Sequence, residues 1–312
     1  MDDAELLLGL GLCAVCAINS GALLYALHKI KPPNGKQESE EEEAQEEEEA
    51  TEEGTEEAPP VPAEPKRPTT KAGILAWRQS IIEELEKERG TRVLTMIHKK
   101  ELWTEPGGDP EIGIEDTETI LQKLRKIPPD VPVDFIIHTP GGYALAAQMM
   151  AMAIKFHPAK VTVMVPFYAM SGGSLMTLAA GEIRMEKYSV LGPVDPQIPT
   201  PDGMYPAGSL TTLAKTKPIQ FITDRMVIMS DVANLEIENA KAFVMWLLEG
   251  KMDKEQAERV ADFLARGYMS HATPITLDVA RAIGLNVVEG IPDKVYELFK
   301  TFTFTGQPYR RH

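Results

Sequence analysis

Two stretches decide the fold of this chain: residues 133–142, VDFIIHTPGG, and residues 160–173, KVTVMVPFYAMSGG. Each begins with a run of apolar, largely β-branched residues that predicts a buried strand. Each ends in glycines at the point where an apolar helix should begin, at 142–157 and 171–180. Two strand–turn–helix units in succession predict an α/β fold with a largely parallel sheet and right-handed crossovers.

The flanking sequence continues this alternation and then becomes helical. Helices are predicted at 74–89 and 115–127, and strands at 92–98 and 183–187. After about residue 218 the apolar spacing predicts only helices, over residues 221–248, 253–264, 276–283 and 292–300.

The two turns carry the residues with chemical potential. In Thr139-Pro140-Gly141-Gly142, the glycines leave backbone N–H groups uncovered at a helix N-terminus, where negative charge is favoured. The second turn, Ala169-Met170-Ser171-Gly172-Gly173, places a hydroxyl at another helix N-terminus. In a parallel sheet both turns fall at the carboxyl edge.

This pairing is what acyl transfer requires: a nucleophile, and donors aimed at a developing oxyanion. Ser171 is the predicted nucleophile, and the expected donors are the N–H groups of Gly172 and of Gly142 or Gly141. Ser174 is the rival nucleophile, although its place one turn into the helix favours a packing role.

Both turns resemble elements of known peptidases. IIHTPGG at 136–142 and AMSGG at 169–173 look like the P-G-G and A-S-G-G elements of Clp protease and signal peptide peptidase A. The body, from about residue 71 to 300, resembles the serine dehydrogenase proteinase family. The resemblance implies a Clp/crotonase-like spiral of ββα units with a helical C-terminal part, a serine peptidase activity without cofactor, and a homo-oligomer.

The base is the part of the resemblance that departs from Clp protease. Clp proteases carry a His roughly twenty-five residues after the Ser, but VDPQIP at 194–199 contains none. Signal peptide peptidases use a later Lys, and here Lys215 and Lys217 lie 44 and 46 residues after Ser171. A Lys can serve as base when burial lowers its pKa. Lys217 is preferred over Lys215, narrowly.

Two histidines remain as further candidates near the site. His271, in the loop Tyr268-Met269-Ser270-His271, is the other possible base, because His is the usual partner of a Ser nucleophile. His138 directly precedes the first turn and could line the cleft, although a structural role at the strand end is favoured. Asp195 is expected to cap a turn before Pro196.

The N-terminal region predicts a membrane anchor and a linker. Residues 6–27 are apolar enough to span a bilayer, within an anchor assigned to 1–31, and Cys13 and Cys16 lie there as apolar filler. Residues 32–70 are a Glu- and Pro-rich linker that cannot form a core. Lysines after the apolar segment favour a single-pass topology with a cytoplasmic body at 71–312.

Charge and motifs exclude several classes of function. Net charge is −15, and subtracting the −14 of residues 37–64 leaves −1 for residues 65–312, because residues 1–36 sum to zero. The charge of the body therefore gives no indication of the basic face that nucleic acid requires. Metal-ligand spacings and a phosphate-binding loop are absent from the sequence, so no metal is expected and any ATPase would be a separate partner.

The sequence therefore predicts a membrane-anchored serine peptidase that acts on peptides or proteins, with membrane-derived substrates as one possibility. Two alternatives remain open. One is a membrane-tethered oligomeric scaffold without activity. The other is a crotonase-type acyl-CoA enzyme, against which Ser171 argues.

Overall fold

The computed structural model of the chain describes residues 68–99, 101 and 110–302. The predicted anchor at 1–31 and the linker up to residue 67 lie outside the described residues. Among the helices that are described, none has the length and apolar character needed to cross a bilayer.

The order of elements follows the predicted alternation. The helices are α1 Lys71–Arg89, α2 Ile114–Leu124, α3 Ala144–Phe156, α4 Gly172–Ala179, α5 Ala207–Thr216, α6 Asp224–Leu248, α7 Lys254–Ala265, α8 Leu277–Ala282 and α9 Asp293–Lys300. The strands are β1 Arg92–Ile97, β2 Val133–His138, β3 Val161–Val165, β4 Tyr168–Ala169, β5 Glu182–Met185, β6 Val190–Leu191, β7 Gln197–Thr200, β8 Gly203–Pro206, β9 Ile275–Thr276 and β10 Val287–Glu289.

A five-stranded parallel sheet in the order β1-β2-β3-β5-β10 forms the centre of the fold. Strands β2 and β3 are buried along their whole length, because helices cover both faces of a parallel sheet. The predicted α/β fold is thereby confirmed. All five strands point their carboxyl ends to one edge, and both glycine turns lie there.

A second, three-stranded sheet in the order β4-β6-β9 was not predicted. Strand β6 runs parallel to β4 and antiparallel to β9. These strands have two residues each, which is too short for an alternating pattern to appear in the sequence.

The prediction of an all-helical region after about residue 218 was partly wrong. Helix α5 already begins at Ala207, after the hairpin β7–β8, and two further strands, β9 and β10, interrupt the helices. Lys215 therefore lies in the last turn of a helix rather than in a loop. The long helix α6 packs on α5 and on α7.

Candidate active site

The two glycine turns are in contact with each other. Gly141 and Gly142 have φ angles of 111° and 148°, values that side-chain-bearing residues rarely adopt. A Cβ atom placed on Gly141 would lie 2.8 Å from Cβ of Ser171, and one placed on Gly172 would lie 4.0 Å from the amide nitrogen of Gly142. Only glycine allows this close approach of the two backbones.

Ser171 has a strained backbone. Its φ of 50° and ψ of −113° make it the one residue other than glycine with positive φ in the described part of the chain. Strain of this kind costs on the order of 1–3 kcal/mol and persists where the surrounding structure enforces it. The strain places the hydroxyl at the N-terminus of α4, and the residue remains partly exposed.

Ser174 is engaged in the structure and is not free to act as a nucleophile. Its hydroxyl donates to the carbonyl of Ala169 at 2.8 Å and accepts the amide of Gly192 at 2.9 Å. The residue is also buried. In contrast, the hydroxyl of Ser171 forms no hydrogen bond with any residue that the structure describes.

The hydrogen bonds of the two turns show which candidate oxyanion donors are available. The amide of Gly141 donates to the Thr139 hydroxyl at 3.1 Å, so its hydrogen-bonding capacity is already used. Within the described ranges, the amides of Gly142 and Gly172 have no acceptor. The dipole of α4 adds partial positive charge at Gly172. Gly142 and Gly172 are therefore the pair that can receive an oxyanion.

His271 is oriented by Asp195. Its Nδ1 atom lies 2.7 Å from Oδ1 of Asp195, and the second carboxylate oxygen accepts the side-chain amide of Gln197 at 2.7 Å. The amide nitrogen of Gln197 also lies 3.3 Å from Nδ1, but the shorter contact is with the carboxylate, which only accepts, so Nδ1 carries the proton and Nε2 is the basic nitrogen. The aspartate side chain is 1% exposed and the histidine 32%.

The small sheet brings this pair to the same edge as Ser171. Ser171 follows β4 by two residues, and Asp195 follows β6 by four residues. His271 precedes β9 by four residues, and β9 is antiparallel to β6. The carboxyl ends of β4 and β6 and the amino end of β9 therefore coincide, which places Ser171, Asp195 and His271 at one sheet edge.

The two candidate lysines lie on the surface. Lys215 occupies the last turn of α5, and Lys217 follows that helix as its cap residue. Both are exposed, and neither forms an ion pair with another described residue. The burial that would make either ammonium a base at neutral pH is not present in the single chain.

His138 is enclosed by aromatic rings at the end of β2. Its ring centroid lies 4.2 Å from that of Tyr168 and 5.3 Å from that of Phe299. Burial, with nearby Lys99 and His98, lowers the pKa of His138 to about 4. The ring is thus neutral and buried, which fits the structural role at the strand end.

Asp195 and Gln197 were missed as partners of His271 in the sequence. The three residues are brought together across 76 positions by two-residue strands, and no local pattern signals such a pairing. In the described part of the chain, no group of three or more His, Cys, Asp or Glu could hold a metal ion.

Comparison with known proteins identifies related sequences and folds. The family described as ClpP-like SDH-type serine proteinase matches residues 66–311. The uncharacterized proteins MJ1495 and MJ0137 of Methanocaldococcus jannaschii are 44% and 42% identical to the chain, over 72% and 75% of it and 76% and 80% of their own lengths.

Solved structures show more distant similarity. ClpP1 from Listeria monocytogenes aligns with a TM-score of 0.41 at 17% identity, covering 67% of this chain and 97% of that one. The 1510-N membrane-bound stomatin-specific protease aligns with a TM-score of 0.40 at 14% identity, covering 61% of this chain and 79% of that one.

Proposed function

This chain belongs to the ClpP-like SDH-type serine proteinase family, and from that premise we propose that it hydrolyses peptide bonds with Ser171 as nucleophile. The observation that carries the proposal is the strained Ser171 next to the amides of Gly142 and Gly172, which have no acceptor among the described residues. A strained nucleophile beside unused donors fits acyl transfer better than a packing role.

The proposed mechanism uses His271 as the base. Nε2 of His271 takes the proton of the Ser171 hydroxyl while Oγ attacks the scissile carbonyl carbon. The amides of Gly142 and Gly172 hold the resulting oxyanion. The same proton then passes to the leaving amine as the C–N bond breaks. Water, deprotonated by His271, releases the acyl group and restores the serine.

His271 is proposed in preference to Lys217 and Lys215 because it alone has an orienting carboxylate. Asp195 fixes the tautomer that leaves Nε2 basic, and its burial strengthens the interaction with the imidazolium that forms during catalysis. Ser171 and His271 form no hydrogen bond with each other in the structure. Such bonds often tighten only in the substrate complex.

The proposed setting is a membrane-anchored homo-oligomer. Residues 6–27 supply the anchor, as their apolar length indicates. Exposed apolar side chains on and before α6 support self-association: Ile219 is 75% exposed, Phe221 63%, Ile228 65% and Leu235 59%. The substrates are peptides or proteins, and a cytoplasmic site of action is part of the proposal.

A fluorophosphonate probe, which labels activated serines, tests the proposal on the full chain in mild detergent. Labelling of the wild type and its loss in Ser171→Ala are expected. His271→Ala should reduce the labelling rate at least about a hundredfold, as removal of a catalytic base does. Lys215→Ala and Lys217→Ala should label like the wild type.

Matched controls are Ser209→Ala and His157→Ala, which change an exposed serine and a loop histidine away from the proposed residues. Loss of labelling in Lys217→Ala, with labelling retained in His271→Ala, would assign the role of general base to Lys217. An unlabelled wild type of correct fold would favour the inactive scaffold.

A further inference from the structure

Thr139 connects the two turns of the candidate site. The residue is fully buried, and its amide donates to the carbonyl of Tyr168 while its own carbonyl accepts the amide of Met170. Its methyl group lies 2.5 Å from where a Cβ of Gly173 would be, so it fills the space above the second turn. One side chain therefore contacts both turns, through its hydroxyl on one and its methyl on the other.

The Thr139 hydroxyl is part of a directional hydrogen-bond chain. Its Oγ1 lies 2.7 Å from Nδ1 of His98 and accepts the Gly141 amide at 3.1 Å. Nε2 of His98 forms no hydrogen bond with a described residue, but the carboxylate of Asp116, 3.6 Å away, electrostatically favours the tautomer protonated on Nε2. Nδ1 is then an acceptor. Oγ1 also lies 3.3 Å from the carbonyl of Gly141, but the shorter contact directs its single proton to Nδ1, and an Oγ1 lone pair accepts the amide of Gly141.

The segment that contains Asp116 is hydrogen-bonded to the same turn. Asp116 accepts the amide of Gly113 at 2.9 Å, and the neighbouring Ile112 donates its amide to the carbonyl of Gly141 at 2.7 Å. Ile112 also accepts the amide of Tyr143 at 2.8 Å. Both sides of Gly142 are thus anchored, while the amide of Gly142 itself keeps no acceptor among the described residues.

We infer that Thr139 and His98 are positioning residues for the oxyanion hole, an inference that rests on the proposed peptidase function. Thr139 binds the Gly141 amide and so directs the Gly142 amide toward Ser171, and its methyl group sets the distance between the turns. His98 holds the threonine hydroxyl in the orientation that accepts from Gly141. Neither residue touches the substrate.

The test measures kinact and KI of fluorophosphonate labelling for the full chain, with the melting temperature of each variant. Thr139→Val keeps the methyl and removes the hydroxyl, and Thr139→Ser does the reverse. We expect Thr139→Val to lower kinact about 10- to 100-fold, part of the loss seen when an oxyanion donor is removed, with KI within about twofold. Thr139→Ser should recover most of kinact.

His98 is tested by the same comparison. His98→Leu should lower kinact about tenfold, a fraction of an oxyanion donor's effect. His98→Asn should restore part of kinact, because its amide oxygen can accept from Thr139. Thr211→Val is the matched control, since Thr211 is buried and donates to the carbonyl of Gly208 in α5. It should change the melting temperature without changing kinact.

These measurements distinguish failure of the inference about Thr139 and His98 from failure of the proposed peptidase function. If Thr139→Val labels within twofold of the wild-type kinact, or if Thr139→Ser is as slow as Thr139→Val, the inference is wrong while the peptidase function stands. If Thr139→Val does not fold, the His98 variants decide by the same criterion. An unlabelled wild type overturns both the function and the inference.

Discussion

The Nδ1 atom of His271 lies 2.7 Å from a carboxylate oxygen of Asp195, whose side chain is 1% exposed. The two residues are 76 positions apart, in the loop before β9 and the loop after β6. An acid buried against an imidazole fixes both its tautomer and its orientation. This relationship turns a loop histidine into a candidate general base.

Asp195→Asn should therefore slow fluorophosphonate labelling by about 10²- to 10⁴-fold, as removal of the charge does in a Ser-His-Asp arrangement. The asparagine amide can donate to Nδ1, which would favour the tautomer with the proton on Nε2. The measurement is kinact from pH 5 to 9, beside Asp202→Asn as an exposed control. Equal rates for both variants would contradict the role of Asp195.

Gly142→Ala should abolish labelling. A Cβ there would lie 2.4 Å from the amide nitrogen of Ile112, at a φ of 148°. The steric clash must displace Ile112, and with it the turn that holds the candidate oxyanion donor.

Gly203→Ala is the matched control for Gly142→Ala, because its φ of 131° carries similar strain but no atom lies within 4 Å of the added methyl. It should lower the free energy of unfolding by about 1–3 kcal/mol and leave labelling intact. Loss of labelling in both variants would indicate that backbone strain, and not the clash with Ile112, abolishes labelling.

The stability of the protein should fall as the pH falls from 6.5 toward 4. In this window the unfolded chain binds a proton at His138, whereas burial keeps the folded pKa at about 4. The free energy of unfolding therefore decreases with acidification, by up to about 3 kcal/mol for this residue. The pKa of His98 is also lowered, mainly by burial, and adds in the same direction.

His138→Phe should flatten this pH dependence without loss of stability at pH 7, because Nδ1 of His138 has no partner among the described residues and the surroundings are aromatic. Urea unfolding at pH values from 4 to 7 measures how the free energy of unfolding depends on pH. Phe167→Leu alters the same aromatic cluster without removing a titrating group. It should leave the pH dependence of the free energy of unfolding unchanged. An unchanged slope in His138→Phe would contradict the prediction.

Arg89→Met should destabilise the fold by about 3–5 kcal/mol, because it leaves the buried carboxylate of Asp134 without its charge partner. Asp134 lies at the start of β2, at the sheet edge opposite to the glycine turns. Labelling by the folded fraction should therefore be unchanged. Urea unfolding measures the loss, and Arg89→Met combined with Asp134→Asn should recover about half of it. A double variant no more stable than Arg89→Met would argue against an unpaired charge as the cause.

The elements that the sequence predicted correctly share one property, a local pattern long enough to recognise. The strand at Val133–His138 was predicted to the residue, and helix α6 within three residues of its start. Each is a continuous run whose burial period appears in the sequence. Strands β4, β6 and β9 have two residues each, so their pairing is set by contacts distant in the chain.

The sequence alone determined the parallel βαβ core and the two glycine turns with Ser171, because strand, turn and helix signals there are local and consecutive. Only the tertiary structure decided which groups are free and which are engaged. It bonds the Ser174 hydroxyl to Ala169, leaves the Ser171 hydroxyl without a partner among the described residues, and pairs His271 with Asp195. A hydrogen bond requires its partners within about 3 Å, and folding alone brings residues 76 positions apart to that distance.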